Sequence, residues 1–383
     1  MGYFDLAILQ EEKKREQKEK NQIFYLLSLI ADIYQHNLLT PVGQEVLNYL
    51  RQERHLDKTT INRFGLGCSI NNRQLSRLLL DQKNADFSSE DLLATNLVWI
   101  TDQNQTCDFF PAHHLIIPLA NTEGKVVAFA ARKVGEISAD EGKYKYLPSY
   151  QYYQKSALLY NYSIVKKNRV EECYLVEGFF DVISLSKLEI KNCLALLGTN
   201  LSEEQIKLLL GLKKRIILFL DNDKAGQEAT VNVAIKLLER EIDCEVVKND
   251  YPGDPDEICR QQSQESIQIL LHTNEEKELL RDAQPVVKII LAIISLEKKI
   301  AEKEKVRKVK SEKDQDELKK LKSELEKKNQ ELAEIDQEKL QKGINAILGS
   351  EELNSEGVLS LLKAMEKFDL NTKFRFATYA GCW

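Results

Sequence analysis

Three groups of carboxylate side chains lie in the middle of the chain. Two of them follow the short apolar runs CYLV and IILFL, and the third follows the segment KNDYPG. The carboxylates are Glu177, Asp181, Asp221, Asp223, Asp254 and Asp256. Crowded carboxylates repel one another unless cations lie between them. Oxygen ligands without His or Cys suit Mg²⁺ or Mn²⁺. The pattern therefore predicts a divalent-metal site of the kind that neutralises phosphate charge during in-line displacement.

The surrounding residues alternate short apolar runs with helical segments, which predicts a parallel sheet with helices on its faces. The predicted strands are 173–176, 193–196, 216–220 and 245–247, and the predicted helices are 181–188, 202–211 and 225–240. Ligands bind outside the carboxyl ends of such strands, so the acidic groups should meet at one edge. Taken singly, each Asp is more typical of a turn or a helix cap, and Asp254-Pro255-Asp256 is a turn signal.

Four segments around these carboxylates carry a resemblance to a known family. CYLVEGFFDVISL, ALLGTNLSEEQ, IILFLDNDKAGQEAT and GDPDEI resemble, in order and spacing, the TOPRIM domain of bacterial DnaG-type DNA primases. The preceding GQEVLNYLRQERHLDKTTINRFGLG, LIIPLANTEGKVVAFAARKVG, KYLPS and YQKSALLYN resemble the rest of the primase core. The resemblance covers about residues 22–260. It implies an α/β fold: a TOPRIM parallel-sheet domain, preceded by a mixed α+β primase subdomain and followed by a helical and coiled-coil C-terminal region.

The resemblance also implies roles for individual residues. Glu177, Asp221 and Asp223 would be catalytic, and Asp181, Asp254 and Asp256 would join them as metal ligands. A further set would bind nucleotide or template, namely Arg132, Lys145, Lys155, Gly178 and His114. The implied activity is synthesis of short RNA primers from ribonucleoside triphosphates on single-stranded DNA by two-metal catalysis. Gly178 would also leave room for close approach of backbone, metal or substrate.

The sequence departs from the family pattern in two places. The family carries an N-terminal zinc-binding domain, but residues 1–21 form a charged leader with no Cys or His, so we expect no zinc site. The family also has an Arg-rich stretch before the first central strand, where this chain has Ala112, His113 and His114. These two histidines either contact phosphate or belong to a plain loop.

Two other functions stay open. One is a TOPRIM nuclease or a topoisomerase-like enzyme, although the separate domain with a nucleophilic Tyr that a topoisomerase needs is not evident. The other is a truncated, inactive primase-like module that binds DNA, a replicative helicase or RNA polymerase. The six intact acidic positions favour metal chemistry over the inactive module.

The C-terminal part of the sequence has a different amino-acid composition. Residues 297–342 contain no Gly or Pro and hold 15 basic and 13 acidic residues. An apolar series at 3–4 spacing, with one gap at Lys328, predicts a coiled coil or helical hairpin and comprises Leu318, Leu321, Leu325, Leu332 and Ile335. The final segment, SEGVLSLLKAMEKFDLNTKFRFATYAGCW, resembles the core-binding region of bacterial sigma factors. That resemblance implies RNA polymerase as a partner.

Bulk composition sets the remaining limits. The seven cysteines are scattered without a CxxC pair, which argues against a disulfide framework or a zinc ribbon. The longest apolar run near the C-terminus, 286–296, is too short to span a membrane. The net charge of −6 is the sum of a slightly basic segment at 297–342 and a more acidic remainder of the chain. The average charge therefore does not exclude a nucleic-acid partner. We expect a cytoplasmic, nucleoid-associated protein with five parts: 1–21, 22–168, 169–264, 265–343 and 344–383.

Overall fold

The computed structural model describes residues 3–71, 73–80, 87–135, 142–238, 240, 242, 244–247, 251, 253–272 and 312–333. These residues fall into two compact units, which we describe separately. The first unit takes the described residues up to Arg169 together with Gly178–Leu197 and Ser202–Leu208. The second takes Val170–Glu177, Gly198–Leu201 and the described residues from Leu209 onward. The five predicted domain boundaries stay predictions.

The described residues of the first unit form helices and an antiparallel sheet. The helices are α1 (Tyr3–Leu38), α2 (Gln44–Asn48), α3 (Lys58–Arg63), α4 (Gln74–Leu80), α5 (Ser89–Ala94), α6 (Tyr162–Lys167) and α7 (Phe179–Lys187). Helix α1 runs without interruption through residue 21, the predicted end of the charged leader. Its residues Leu26, Leu27 and Ile30 are fully buried, whereas residues 11–19 are exposed. The apolar stripe of α1 therefore anchors its C-terminal half to the core.

The sheet of the first unit has the strand order β1-β4-β5-β6. Its strands are β1 (Gly67–Cys68), β4 (His114–Ala120), β5 (Val126–Lys133) and β6 (Tyr144–Tyr146). Between β1 and β4, strands β2 (Val98–Ile100) and β3 (Thr106–Asp108) form a separate antiparallel pair. Strands β4 and β5 form an antiparallel hairpin, with Ile116 opposite Ala131. Gly124 supplies the positive φ of 86° at its turn.

The second unit is built on parallel strands in the order β10-β9-β7. They are β7 (Glu172–Val176), β9 (Arg215–Leu218) and β10 (Cys244–Val246), and β8 (Cys193–Ala195) lies in the first unit. Ile216 of β9 lies opposite Cys173 of β7 and Cys244 of β10. Strands β7 and β9 are apolar after their first residue, as expected for buried parallel strands, whereas β10 carries the buried Glu245 at its centre. The parallel arrangement predicted from the alternating pattern is therefore confirmed.

The remaining helices follow these strands along the chain. They are α8 (Glu203–Leu212), α9 (Lys224–Leu238), α10 (Pro255–Gln261), α11 (Gln264–His272) and α12 (Glu312–Ala333). The predicted helices at 181–188, 202–211 and 225–240 are confirmed as α7, α8 and α9. Helix α12 confirms the helical prediction around Leu318, Leu321 and Leu325, whereas pairing of this helix as a coiled coil stays a prediction.

Two predictions lie outside the described residues. These are the sigma-factor-like tail at 344–383 and the end of the apolar coil series at Ile335. No helix in the described ranges is both long enough and apolar enough to span a bilayer.

Candidate functional site

The ends of two neighbouring parallel strands place the first carboxylates. Leu175 of β7 lies opposite Leu218 of β9, so Glu177 and the residues after β9 leave the sheet at the same edge. There the backbone N–H of Asp221 donates a 3.4 Å hydrogen bond to Oε1 of Glu177. The parallel register thus brings the Asp221 backbone to the Glu177 carboxylate, although the two residues are 44 positions apart in sequence.

Negative charge accumulates around Glu177. Burial raises the pKa of the half-buried Glu177 carboxyl, and the negative charges of Asp223 and Asp254 raise it further. The hydrogen bond from the Asp221 N–H acts in the opposite direction because it favours the ionised form. Glu177, Asp223 and Asp254 therefore share one electrostatic neighbourhood, which a cation would stabilise.

The loop between β9 and α9 is held in place by its own polar groups. Oδ1 of Asp223 accepts a 2.7 Å hydrogen bond from the N–H of Gly226 in the first turn of α9. Gly226 also packs against the chain at Asp221, because a Cβ at this position would lie 2.1 Å from the Asp221 carbonyl oxygen. The side-chain amide of Asn222 donates to the Tyr251 carbonyl at 3.1 Å. These contacts fix the backbone that carries Asp221 and Asp223.

The third acidic group begins α10. Asp254 is the N-cap of this helix, and its Oδ1 accepts from the N–H of Glu257 at 2.7 Å. Asp256 is only 1% exposed and its carboxylate pairs with Nε of Arg260 at 3.2 Å. Asp254 thus joins the cluster around Glu177, whereas the Asp256 carboxylate already has a cation of the protein beside it. A metal-ligand role for Asp256 remains a prediction.

Gly178 and Asp181 both belong to the first unit. Oδ2 of the buried Asp181 accepts from the Gly178 N–H at 2.7 Å and so satisfies the N-cap N–H at the start of α7. This hydrogen bond fixes the backbone of Gly178, the residue that directly follows Glu177. A Cβ on Gly178 would lie 3.0 Å from this same Asp181 oxygen, so there is little space for a side chain. A direct metal contact from Asp181 stays a prediction.

The oxygen donors fit a magnesium-type ion that is only partly held by the protein. Among the described residues, no group of three or more His, Cys, Asp or Glu side chains is arranged to surround a metal ion. Mg²⁺ is commonly bound by one or two carboxylates, with water and substrate phosphates supplying the other oxygens. Glu177, Asp221 and Asp223 provide oxygen donors of that kind at the edge of the sheet.

A buried guanidinium lies in the first unit among aromatic rings. Arg132 of β5 is 6% exposed, and its Nη1 donates to the Tyr144 hydroxyl at 2.9 Å. Its Cζ lies 5.4 Å from the centre of the Phe180 ring. Arg54, a residue that was not predicted to belong to the site, lies 4.4 Å from the same ring. Both cations therefore lie near one aromatic ring, a relation that joins distant segments and that no local spacing could reveal.

The two predicted lysines also contact aromatic side chains. Nζ of Lys145 donates to the Phe109 carbonyl at 2.8 Å and lies 4.2 Å from the Phe109 ring centre. Nζ of Lys155 lies 3.8 Å from the ring centre of Tyr146. Partial burial lowers the pKa of both lysines. Aromatic rings beside cations form the kind of surface on which single-stranded nucleic acids stack.

The histidine pair divides between two environments. Nδ1 of His114 lies 2.9 Å from the Ala112 carbonyl oxygen, so its ring is oriented by the local backbone. His113 is exposed and has a φ of 58°, which places it in a turn just before β4. Neither the phosphate contact nor the plain-loop interpretation of His114 is decided by this geometry, so its binding role stays a prediction.

Two family models match the chain in the regions that carry these groups. Residues 33–166 match the N-terminal domain of the DNA primase catalytic core. Residues 174–259 match a Toprim-like domain. The first match contains Arg132, Lys145 and Lys155, and the second contains Glu177 and Asp221.

Individual relatives agree with these matches. A DNA primase of Synechocystis sp. is 34% identical over 227 residues, which cover 57% of this chain and 35% of that protein. A DNA primase of Listeria monocytogenes is 30% identical over 271 residues, which cover 68% of this chain and 42% of that protein. The chain therefore matches less than half the length of these curated relatives.

A solved structure gives the same fold. A DnaG primase catalytic domain bound to single-stranded DNA matches with a TM-score of 0.58 and 22% identity, covering 67% of this chain and 82% of that domain. This likeness establishes the fold of the region that carries the candidate site.

Proposed function

We propose that this chain, which contains a DnaG-type DNA primase catalytic core with a Toprim domain, synthesises short RNA primers on single-stranded DNA. The observation that carries the proposal is the group of carboxylates at the ends of adjacent parallel strands, where Glu177 and Asp221 are in contact and Asp223 and Asp254 act on Glu177 by charge. An acidic edge of this kind suits nucleotidyl transfer, in which phosphate charge must be neutralised.

In this proposal Glu177, Asp221 and Asp223 hold two Mg²⁺ or Mn²⁺ ions, with Asp254 contributing to the negative field and Asp181 fixing the backbone at Gly178. Bound divalent ions would supply charge neutralisation on the triphosphate. The chain itself would supply orientation. Capping contacts hold Asp223 and Asp254 in position, so little reorganisation of the loops is needed when nucleotide binds.

The basic residues of the first unit would bind phosphate and template. Lys145 and Lys155 offer point charges beside aromatic rings, whereas the Arg132 guanidinium is buried against Tyr144, so a phosphate contact from Arg132 rests on the family resemblance. His114 would add a contact near the start of β4. Charge and stacking are largely independent of base sequence, so we expect weak template preference from these residues. The single-stranded DNA in the related primase domain is consistent with such a substrate.

Wider partners are also part of the proposal. A replicative helicase would be expected for a replication primase, and the sigma-factor-like segment at 344–383 suggests RNA polymerase as a second partner. The chain would act in the cytoplasm at the nucleoid. Co-purification of RNA polymerase with the full chain, but not with a chain ending at residue 343, would support the second partner. Equal recovery with both chains would contradict it.

The test of the proposed activity is primer synthesis by the full chain on single-stranded DNA with ribonucleoside triphosphates and Mn²⁺. We expect metal-dependent products from the wild type, and at least a hundredfold loss in a double Asp221→Asn, Asp223→Asn variant that keeps the wild-type circular dichroism spectrum. The test is repeated with a separate primase zinc-binding domain added, because the family carries such a domain.

Other outcomes would select the rival functions. Cleavage of DNA without nucleotide consumption would favour a nuclease or topoisomerase-like enzyme. Template binding with no turnover under both conditions would favour an inactive binding module. A double variant as active as the wild type would overturn the assignment of the acidic cluster.

A further inference from the structure

The antiparallel ribbon formed by β2 and β3 exposes a tryptophan outside the groups described above. Trp99 lies at the centre of β2 and is 52% exposed. A single exposed apolar side chain is ordinary on a protein surface, so its significance depends on the groups beside it.

The strand register places Phe109 on the same face of the ribbon as Trp99. Trp99 pairs with Cys107 across the ribbon. The N–H of Phe109 donates to the Leu97 carbonyl at 2.8 Å, which continues the same register beyond the end of β3. Side chains two residues apart along a strand share a face. Trp99 and Phe109 are therefore diagonal neighbours, a relation in which residues about 7–8 Å apart are within reach of each other's aromatic side chains.

Cations lie beside both ends of this face. Nζ of the exposed Lys145 is 4.2 Å from the centre of the Phe109 ring. Near the turn, Gln105 is two residues before Cys107 and therefore shares its face, and Oε1 of Gln105 accepts a hydrogen bond from Nη2 of Arg73. The two aromatic residues thus have Lys145 at one end of the face and Arg73 at the other.

The carboxylates of the ribbon oppose an anion on this face only weakly. Asp108 is buried on the opposite face, where its Oδ2 accepts from the N–H of Leu75 at 3.0 Å. Within residues 98–108, all of which are described, Asp102 in the turn is the one exposed carboxylate. Aromatic side chains between cations suit a polyanion that carries flat rings, which is the chemistry of single-stranded nucleic acid.

We propose that the ribbon face formed by Trp99 and Phe109 stacks bases of the single-stranded template and extends the template contact from Lys145 towards the turn. This inference rests on the proposed function, because it takes Lys145 to face the template. Lys145 and Arg73 hold phosphates at the two ends, and the exposed indole of Trp99 receives a base. Stacking tolerates any base, so this face lengthens the bound segment of template without adding a strong sequence preference.

The experiment measures binding of a fluorescein-labelled oligothymidylate to the full chain by anisotropy. Trp99→Ala is expected to bind about five- to thirtyfold more weakly than the wild type, the loss expected for one stacked base. Its salt slope should keep the wild-type value, because stacking on a base releases no counterions from phosphate. Trp99→Phe, which keeps an aromatic ring, should bind more tightly than Trp99→Ala. Ile100→Ala is the matched control with wild-type affinity, since Ile100 is 49% exposed on the opposite face of the same strand.

Two further measurements show whether the contact is made to a base. An abasic oligonucleotide of the same length should bind equally to the wild type and to Trp99→Ala, because it has no ring to stack on the indole. Trp383→Phe leaves Trp99 as the single tryptophan of the chain. In that variant the thymidylate should quench tryptophan emission saturably, and the abasic strand should not.

The outcomes separate this inference from the proposed function. Equal thymidylate affinity of the wild type and Trp99→Ala would overturn the inference, and metal-dependent primer synthesis by the wild type would still support the proposed function. Absence of DNA binding by the wild type would overturn both. Self-association of the wild type that Trp99→Ala abolishes, with unchanged DNA affinity, would instead assign the ribbon face to an interface between copies of the chain.

Discussion

The backbone N–H of Asp221 donates a 3.4 Å hydrogen bond to Oε1 of Glu177, and this contact joins the loops that follow two adjacent parallel strands. Glu177 directly follows β7, and Asp221 lies three residues beyond the end of β9. The contact stabilises the ionised form of Glu177, while burial and the charges of Asp223 and Asp254 destabilise it. Replacement of Glu177 should therefore have different effects on the stability of the metal-free and the metal-bound protein.

Replacing Glu177 by a neutral residue should change the melting temperatures of the metal-free and the metal-bound protein in opposite directions relative to the wild type. In metal-free protein, Glu177→Gln removes a carboxylate whose ionised form is disfavoured, so we expect an unchanged or higher melting temperature. Added Mn²⁺ should stabilise the wild type by mass action and should stabilise the variant much less. Thermal denaturation with EDTA and with Mn²⁺ measures both effects.

The matched control is Glu123→Gln, which neutralises an exposed carboxylate that pairs with Lys125 at 3.6 Å. This variant should keep the wild-type response to Mn²⁺. An equal Mn²⁺ response in Glu177→Gln would argue that Glu177 does not bind the metal.

Gly226 should not tolerate even a methyl group. The Cβ of Gly226→Ala would lie 2.1 Å from the Asp221 carbonyl oxygen, so the backbone of the acidic loop must shift. We expect a loss of about 1–3 kcal/mol in the free energy of unfolding, measured with urea, together with weaker Mn²⁺ binding. Gly198→Ala is the control, since a Cβ there meets no atom within 4 Å and should change stability by less than about 0.5 kcal/mol. Equal stability of the two variants would contradict this account of the loop.

The local sequence pattern was sufficient to predict strands β7 and β9 and the sheet edge at which Glu177 and Asp221 lie. The runs CYLV and IILFL predicted β7 and β9, and the topology rule for parallel sheets then placed Glu177 near Asp221. That reasoning assigned Asp256 to the metal without weighing Arg260, which lies four residues later and pairs with Asp256 on one face of α10. It also could not find Arg54 beside Phe180, since that contact joins segments far apart in sequence.

The N-cap of α3 should give a measurable pH dependence of stability. Oδ1 of Asp57 accepts from the Thr60 N–H at 2.7 Å, and hydrogen bonds from Thr60 lower the pKa of Asp57. A lowered pKa means that this stabilisation is present above the unfolded pKa of about 3.8 and is lost as pH falls through the folded value. Asp57→Ala should therefore cost about 1 kcal/mol at pH 7 and less near pH 3.

Urea denaturation of wild type and variant between pH 3 and pH 7 measures this difference. Asp57→Asn keeps a capping oxygen without the charge, so its difference from Asp57→Ala should stay nearly constant with pH. A cost of Asp57→Ala that does not change with pH would show that the Asp57 charge contributes nothing to the cap.

Template binding should depend on Lys145 through its charge. Lys145→Ala is expected to weaken binding of single-stranded DNA about three- to tenfold and to reduce the salt slope of binding by about 0.7, the value for one phosphate contact with a single strand. Fluorescence anisotropy across a series of salt concentrations measures both quantities.

Lys145 also bonds the Phe109 carbonyl, so a purely structural role would weaken binding without changing the slope. Lys145→Arg should restore the slope, and Lys125→Ala, at the exposed β4–β5 turn, should keep it. A salt slope that is unchanged in Lys145→Ala would remove Lys145 from the template-binding surface.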